Sequence, residues 1–256
     1  MNGDENFDSK AAWFQRRIYG GLKGELRLNA LWGDMLKHIP GIESSGSYSV
    51  WDAGGGLGQM SLKLAAQGHK VLLTDISAEM LALAEQAIAN TGLQSIEIRQ
   101  ASIQSEAAEG RCYDLIVCHA VLEWLSDPQA TLEKLLQCLK PGAYLSLAVY
   151  NVNAAIMMNV LKGNFNKALS GDHAGHPGSL TPPSPLNPHE VKAWLETAGL
   201  SVVYRAGVRV AFDYLGKELK AQRSNEDMIA VESFLREQEA FWALGRYVHF
   251  IAVKPG

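Results

Sequence analysis

Seven residues, Asp52-Ala53-Gly54-Gly55-Gly56-Leu57-Gly58, limit what this chain can fold into more than any others. They come after a short apolar stretch, Tyr48 to Trp51, and open a helical pattern, so they read as a strand turning sharply into a helix. Glycines at positions 54, 56 and 58 leave a compact bend without side chains, in which backbone N–H groups can approach a ligand closely. The dinucleotide-binding fingerprint separates its last two glycines by three positions. Here Gly56 and Gly58 are two apart, and Gln59 stands where the last glycine would fall. The turn therefore implies a nucleotide-type ligand and disfavours a nicotinamide-dependent oxidoreductase.

The pattern on either side of the turn fixes the fold class. Strand signals at Tyr48–Trp51, Val71–Leu73, Ile96–Arg99, Tyr113–Cys118 and Tyr144–Val149 alternate with helical patterns at Leu57–Gln67, Ala78–Asn90 and Pro128–Leu139. Ser77 is placed to cap the second of these helices, and Lys140-Pro141-Gly142 to stop the third. Strict alternation implies a parallel sheet with crossover helices, an α/β fold. Helical periodicity also appears twice before the first strand, around residues 11–19 and 24–39. After Tyr150 the repeat breaks: residues 151–166 can form a helix, and 171–188 are loop-like, with five prolines from Pro177 to Pro188. Regularity returns with a helix at Pro188–Ala198, a strand at Leu200–Tyr204 with scope to extend to Phe212, and a last strand at Arg246–Val253. A helical insertion over Asp213–Ala240 separates those two strands.

Length is compatible with one unit spanning 1–256, carrying a helical extension over 1–45 and insertions over 150–188 and 213–240. Twenty-three basic residues against 27 acidic ones give a net charge of −4, so a polyanion must be met by local patches rather than by a global field. Cys112, Cys118 and Cys138 contain no Cys-x-x-Cys pair, which argues against a disulfide framework and against a zinc site, so no metal is expected. The polar stretch Asn2–Lys10 is unlike a signal peptide and no apolar run reaches bilayer length, so a cytoplasmic protein without membrane contact is expected.

The spacing of the glycine turn, with an acid two residues ahead of the first glycine, resembles motif I of the class I S-adenosylmethionine-dependent methyltransferases. Further pieces narrow the resemblance: Arg-x-x-Tyr-Gly (Arg16 to Gly20), Lys-Gly-x-Leu-Arg (Lys23 to Arg27), His-Ala-Val-Leu-Glu-Trp (from His119) and Leu-Gly-Arg-Tyr-x-His (Leu244 to His249). Together they look like the tRNA 5-carboxymethoxyuridine methyltransferases, across nearly the whole chain. The resemblance implies a Rossmann-like, seven-stranded, mostly parallel sheet with helices on both faces, whose final strand runs antiparallel. It also implies S-adenosylmethionine as cofactor and a tRNA anticodon stem-loop as partner, with esterification of a carboxymethoxy group on the wobble uridine.

Asp75 ends the second strand, seventeen residues beyond Gly58, where an acid can accept hydrogen bonds from both ribose hydroxyls of an adenosine; alternatively it caps the next helix. By the resemblance, Arg27 pairs with the cofactor carboxylate, His119 lies beside its methionine portion, and Ser102 and Ile103 flank the adenine. Asp52, Gly54, Gly55, Gly56 and Ile76 complete the expected cofactor set. Ile103 reads equally well as a core residue, and His119 as a structural histidine.

A carboxylate is already a nucleophile at neutral pH, so no general base is expected, and alignment and desolvation must carry the rate. A bidentate arginine on the attacking oxygen would stabilise the ground state, so neutral or partial donors are expected there, with cations further off. Tyr19, Tyr150, Arg209, Tyr214 and Arg246 are the candidates to position the acceptor. Arg209, on an otherwise apolar strand, must either bridge a protein carboxylate or bind an anion. Basic groups at Arg16, Arg17 and Lys23, at Lys162 and Lys167, and at Lys217, Lys220 and Arg223 could meet RNA phosphates, with Trp13, Phe14 or Phe165 stacking a base. The competing readings are a small-molecule O-methyltransferase and a non-catalytic S-adenosylmethionine-binding module. Absence of Asn-Pro-Pro-aromatic and Pro-Cys motifs argues against adenine amino methylation and against covalent chemistry at a pyrimidine.

Overall fold

The computed structural model describes residue 8 and residues 21–43, 47–175 and 181–256. In chain order the elements are α1 (Gly21–His38), β1 (Ser49–Ala53), α2 (Gln59–Ala66), β2 (Lys70–Asp75), α3 (Ala78–Ala89), β3 (Ile96–Gln100), α4 (Ile103–Ala108) and β4 (Tyr113–His119). They continue with α5 (Pro128–Gln137), β5 (Leu139–Tyr150), α6 (Val152–Leu161), α7 (Phe165–Leu169), α8 (Pro188–Thr197), β6 (Ser201–Val208), α9 (Lys217–Ala221), α10 (Asn225–Leu235) and β7 (Tyr247–Val253). The strands form one seven-stranded sheet in the order β3-β2-β1-β4-β5-β7-β6. Pairs among β1 to β5 are parallel, whereas β7 runs antiparallel to both β5 and β6, as the family resemblance implies.

Apolar strands covered on both faces drive this arrangement. Val50, Trp51, Leu115, Ile116, Val117, Leu145 and Leu147 are completely buried, and they divide between two core clusters on opposite sides of the sheet. Ser77 caps α3 as expected, its hydroxyl accepting from the Met80 N–H, and Asp127 caps α5.

Several boundaries differ from the sequence reading for identifiable reasons. Helix α5 ends at Gln137, and Lys140-Pro141-Gly142 already belongs to β5, because a register shift against β4 near Tyr113 absorbs Gly142 at φ 76°. Strand β6 stops at Val208 instead of reaching Phe212, since Arg209 takes a left-handed φ of 59°. The expected helix over 151–166 is two helices, α6 and α7, broken at Gly163 (φ 73°). The insertion between β6 and β7 is likewise two short helices plus 3₁₀ turns at Phe212–Tyr214 and Trp242–Leu244. The helical signal around 11–19 lies outside the described residues.

Candidate active site

The site forms where chain ends converge. Strands β1, β2, β4, β5 and β6 all end at one edge of the sheet, and the antiparallel β7 begins there, so Tyr247 pairs with Tyr150 at the same edge. Helix α1 packs beside that edge, burying Leu31 and Met35 against the core. Its Arg27, Leu28 and Leu31 line a cleft of about 530 Å³ with Asp52, Gly54, Gly55, Gln59, His119, Ala120 and Tyr247.

The glycine turn is shaped by contacts as well as by backbone freedom. Gly54 has φ 70°, and a Cβ there would come within 2.7 Å of Val121; a Cβ on Gly55 would lie 2.4 Å from Leu73 and 2.6 Å from the Asp52 carboxyl. Asp52 is itself held by the Ser61 hydroxyl at 2.6 Å. Burial pushes its carboxyl up to about 6. The N–H of Gly56 donates to Asp75 Oδ2 at 3.0 Å, and the N–H of Ser77 donates to Oδ1 at 2.9 Å, so the turn and the end of β2 are fixed to each other. Each Asp75 oxygen retains accepting capacity.

Arg27, 9% exposed, lies with its guanidinium 5.7 Å from the centre of the Tyr247 ring. His119 Nε2 is 2.8 Å from the Ser146 hydroxyl. Burial, with the Arg27 guanidinium nearby, holds its imidazole well below the usual range, hence neutral. Ser102 caps α4 through the Ser105 N–H, and Ile103 is packed in the core beside Trp51 and Tyr113. Ile76 is half-buried, its carbonyl accepting from Gln100.

Beside this cleft stands a cluster of arginines and tyrosines. The Tyr150 and Tyr247 rings meet edge-on at 5.5 Å, Arg209 stacks over Tyr247 at 5.5 Å, and Arg246 over Tyr150 at 4.7 Å. Gly207 and Gly245 make the arrangement possible, because a Cβ on Gly245 would lie 2.7 Å from the Gly207 Cα and 2.6 Å from the Val208 nitrogen. Of the two roles open to Arg209, the structure realises the protein ion pair: its guanidinium contacts Asp213 at 2.7 and 2.9 Å. Tyr214 donates its hydroxyl to the Leu244 carbonyl at 2.6 Å. Arg246 forms no ion pair among the described residues. With Tyr150, Lys162, Lys167, His173 and Thr181 it lines a second cleft of about 630 Å³. Burial pushes the Tyr150 and Tyr214 phenols up to about 12, so both remain protonated. Tyr19, Arg16, Arg17, Trp13 and Phe14 lie outside the described residues.

Comparison with known proteins decides what this edge serves. Residues 51–147 match a methyltransferase domain family. Over 254 residues, 98% of this chain and 97% of the other, the sequence is 39% identical to the tRNA 5-carboxymethoxyuridine methyltransferase of Escherichia coli K12. The chain belongs to the tRNA 5-carboxymethoxyuridine methyltransferase family. A ubiquinone biosynthesis O-methyltransferase of Xanthomonas axonopodis pv. citri is 28% identical over 177 residues, 68% of this chain and 72% of that protein. In fold, magnesium protoporphyrin IX methyltransferase from Synechocystis PCC 6803, solved with S-adenosylhomocysteine bound, superposes with a TM-score of 0.65 at 17% identity, covering 97% of this chain and 96% of the other. An S-adenosylmethionine-dependent methyltransferase from Mesorhizobium loti gives 0.60 at 16% identity, covering 91% and 100%.

This family member is thus an S-adenosylmethionine-dependent methyltransferase, and the cleft fits that cofactor on its own evidence. Gln59, at the start of α2, lines the cleft with a buried Oε1 that has no hydrogen-bond partner among the described residues. That orphan acceptor, the side-chain-free turn, a buried arginine and an acid at the end of β2 match an amino-acid head and an adenosine at opposite ends of one ligand. Sequence reasoning missed Gln59 as a site residue, although its place after the glycine turn was visible. It also missed Tyr247 and Glu123. Glu123 is completely buried, pushed up to about 8 by that burial, and accepts the Tyr150 N–H. Both lie inside pieces quoted above, Leu-Gly-Arg-Tyr-x-His and His-Ala-Val-Leu-Glu-Trp, but nothing in those pieces says that the two side chains meet this edge; both acquire their place from the pairing of β5 with its neighbours.

Proposed function

We propose that this chain esterifies the carboxymethoxy group of 5-carboxymethoxyuridine at the tRNA wobble position. The observation that carries this reading is Arg246: a guanidinium at the mouth of the site with no carboxylate partner among the described residues, stacked over Tyr150 and flanked by Lys162 and Lys167. Near-full-length likeness to the named Escherichia coli enzyme supports the same substrate.

Bound S-adenosylmethionine supplies an electrophilic methyl group on a sulfonium. Arg27 would hold the carboxylate of its amino-acid portion, Asp75 would accept from the ribose hydroxyls, Ile76, Ser102 and Ile103 would border the adenine, and His119, Asp52 and Gly54 to Gly56 would surround the remainder. The acceptor carboxylate attacks without a base, which accords with the side chains around the mouth. The Tyr150 and Tyr214 phenols stay protonated, His119 is neutral and tied to Ser146, and Asp52 is tied to Ser61. Tyr214 is committed to the Leu244 carbonyl and Arg209 to Asp213, leaving Tyr150 and Arg246 to meet the acceptor. Tyr150, with its hydroxyl beside Thr181, is a neutral donor of the kind that does not hold back an attacking oxygen, whereas Arg246 acts from behind the ring. The segments 150–188 and 213–240 form the RNA-facing side. There Lys162, Lys167 and the 60%-exposed Phe165 can meet phosphates and an unstacked base.

Incubation of the purified protein with S-adenosylmethionine and tRNA carrying the free acid, then nucleoside mass spectrometry, should yield the methyl ester. Methyl transfer only to small acids or phenols would favour the small-molecule reading. Tight cofactor binding with no ester on tRNA would favour a binding module.

A further inference from the structure

A chain of buried hydrogen bonds crosses the sheet and ends in the cofactor cleft. It starts at Arg236, whose two Nη atoms contact both Asp34 oxygens at 2.5 and 2.6 Å. Asp34 Oδ2 meets His249 Nδ1 at 2.8 Å, His249 Nε2 meets the Ser146 hydroxyl at 2.8 Å, and that hydroxyl meets His119 Nε2 at 2.8 Å. Ser146 and His249 are 0% exposed and Asp34 2%, so water does not compete for these bonds. The groups come from α1, β4, β5, β7 and the end of α10, and neither the glycine turn nor the tyrosine cluster needs them for its shape.

Donor and acceptor inventories fix the directions of these bonds. Ionised Asp34 only accepts, so His249 carries a proton on Nδ1. A serine hydroxyl has one proton for two nitrogen neighbours, and must therefore donate to one ring and accept from the other. Arg236 and Asp34 already balance in charge, and the chain closes without further charge when both rings are neutral. His249 Nε2 is then a bare acceptor, Ser146 donates to it, and the Ser146 oxygen accepts from His119 Nε2–H. Only one arrangement remains for His119: its Nδ1 carries a lone pair. Among the described residues Nδ1 has no hydrogen-bond partner, and the residue lines the cleft with Arg27 and Gln59.

We propose that Asp34, His249 and Ser146 are positioning residues that fix His119 as a hydrogen-bond acceptor for the α-ammonium of S-adenosylmethionine. The proposal rests on the cofactor reading of this cleft. An amino-acid head offers an acceptor-only carboxylate and a donor-only ammonium. Arg27 is donor-only and suits the first; His119 Nδ1 and the orphan Gln59 Oε1 are acceptors and suit the second. Were the chain polarised the other way, through an imidazolium at His249, the bonds to Asp34 would keep their direction, both bonds of the Ser146 hydroxyl would reverse, and His119 would present an N–H to the ammonium.

Two measurements on the full chain test this. In the wild-type protein with ¹⁵N-labelled histidine, long-range proton–nitrogen correlation should show His119 in the Nε2–H tautomer, both free and with S-adenosylhomocysteine bound. An Nδ1–H form, an imidazolium or an exchanging mixture overturns the proposal, and this measurement needs no variant. The second compares calorimetric binding of S-adenosylhomocysteine with that of its analogue lacking the α-amino group. Wild type should prefer the amino-bearing ligand by about tenfold or more, as expected for a hydrogen bond to a charged group, and Ser146→Ala should cut that preference at least roughly threefold. A preference unchanged in Ser146→Ala refutes the positioning role, since a merely structural change would weaken both ligands alike. No preference in a wild type that binds both ligands also refutes it and leaves the cofactor reading of the cleft standing, whereas failure to bind either ligand places the failure in that reading rather than in the chain of bonds.

Discussion

Arg236→Met tests the anchor of the buried network, and its size can be worked from the contacts. Asp34 receives four hydrogen bonds: two from Arg236, one from His249 and one from the Tyr204 hydroxyl at 3.0 Å. Its side chain is 3% exposed and that of Arg236 12%, so solvent screens the pair little. Burial alone would raise the Asp34 carboxyl, but the bonds from Arg236 and His249 hold it far below its ordinary 3.8. Methionine fills a similar volume while removing the charge and two of the four donors. Breaking a buried pair in this way costs about 3–5 kcal/mol. In a chain of this size that is a fall in melting temperature of roughly 6–20 °C. The pH dependence has a definite sign. A carboxyl with a depressed folded pKa stabilises the fold above its unfolded value, and that contribution drains away as pH falls toward the folded value. The gap between wild type and variant in urea unfolding should therefore be full above about pH 5 and shrink below about pH 4. A gap under about 1 kcal/mol at pH 7, or one constant from pH 7 to roughly pH 3.5, would refute the reasoning.

Gly55→Ala places a Cβ against Leu73 and the Asp52 carboxyl, and should cost about 1–3 kcal/mol by calorimetry while weakening S-adenosylhomocysteine binding. Gly92→Ala, at φ 73° with nothing within 4 Å, should cost about 1–2 kcal/mol of backbone strain and leave that affinity intact. Asp75→Ala removes the acceptor for Gly56 and Ser77 as well as for the ribose, and cofactor affinity in titration calorimetry should drop about 10- to 100-fold. Arg246→Ala should leave S-adenosylhomocysteine affinity within about twofold and lower tRNA methylation by about tenfold or more, because its guanidinium meets the acceptor side alone. Arg209→Ala should act mainly on stability, by about 1–3 kcal/mol in urea unfolding, since it leaves Asp213, 8% exposed, with the more distant Lys23 ammonium at 3.8 Å.

The parts of this molecule legible in the sequence are those whose signal is local. Alternation of apolar runs with helical patterns placed all seven strands, and the glycine turn, Asp75 and the Ser77 cap each rest on residues adjacent in the chain. The break at Arg209 is hidden because a single left-handed residue inside an apolar stretch leaves the periodicity unchanged, whereas the break at Gly163 falls in Lys162-Gly163-Asn164, a stop signal that the helical pattern over 151–166 overrode. Arg209 is recognisably costly inside a strand, but its partner is Asp213, a choice made by the local turn that β6 enters rather than by any motif. Longer-range groupings are invisible for a different reason. Asp34 lies 215 positions from His249 and 202 from Arg236, and neither residue type in isolation marks a buried ionic anchor.

That anchor explains why the cleft is assembled from the two ends of the chain. Arg27 and Asp34 are seven residues apart on α1, two helical turns, so they lie on one face with Leu31 and Met35. The apolar pair can hold the helix against the sheet, but apolar contacts permit sliding, whereas an ion pair with three partners on other elements does not. Asp34 thus sets the axial position of α1, and Arg27 reaches the cleft only if that position is kept. The antiparallel direction of β7 supplies the matching half. It carries Tyr247 at the carboxyl edge of the sheet and His249 two residues further in, on the same face of the strand, where it pairs with Ala148 beside Ser146. Were β7 parallel to its neighbours, its first residues would lie at the opposite edge, and no single strand could both wall the cleft and hold the helix that brings Arg27 to it.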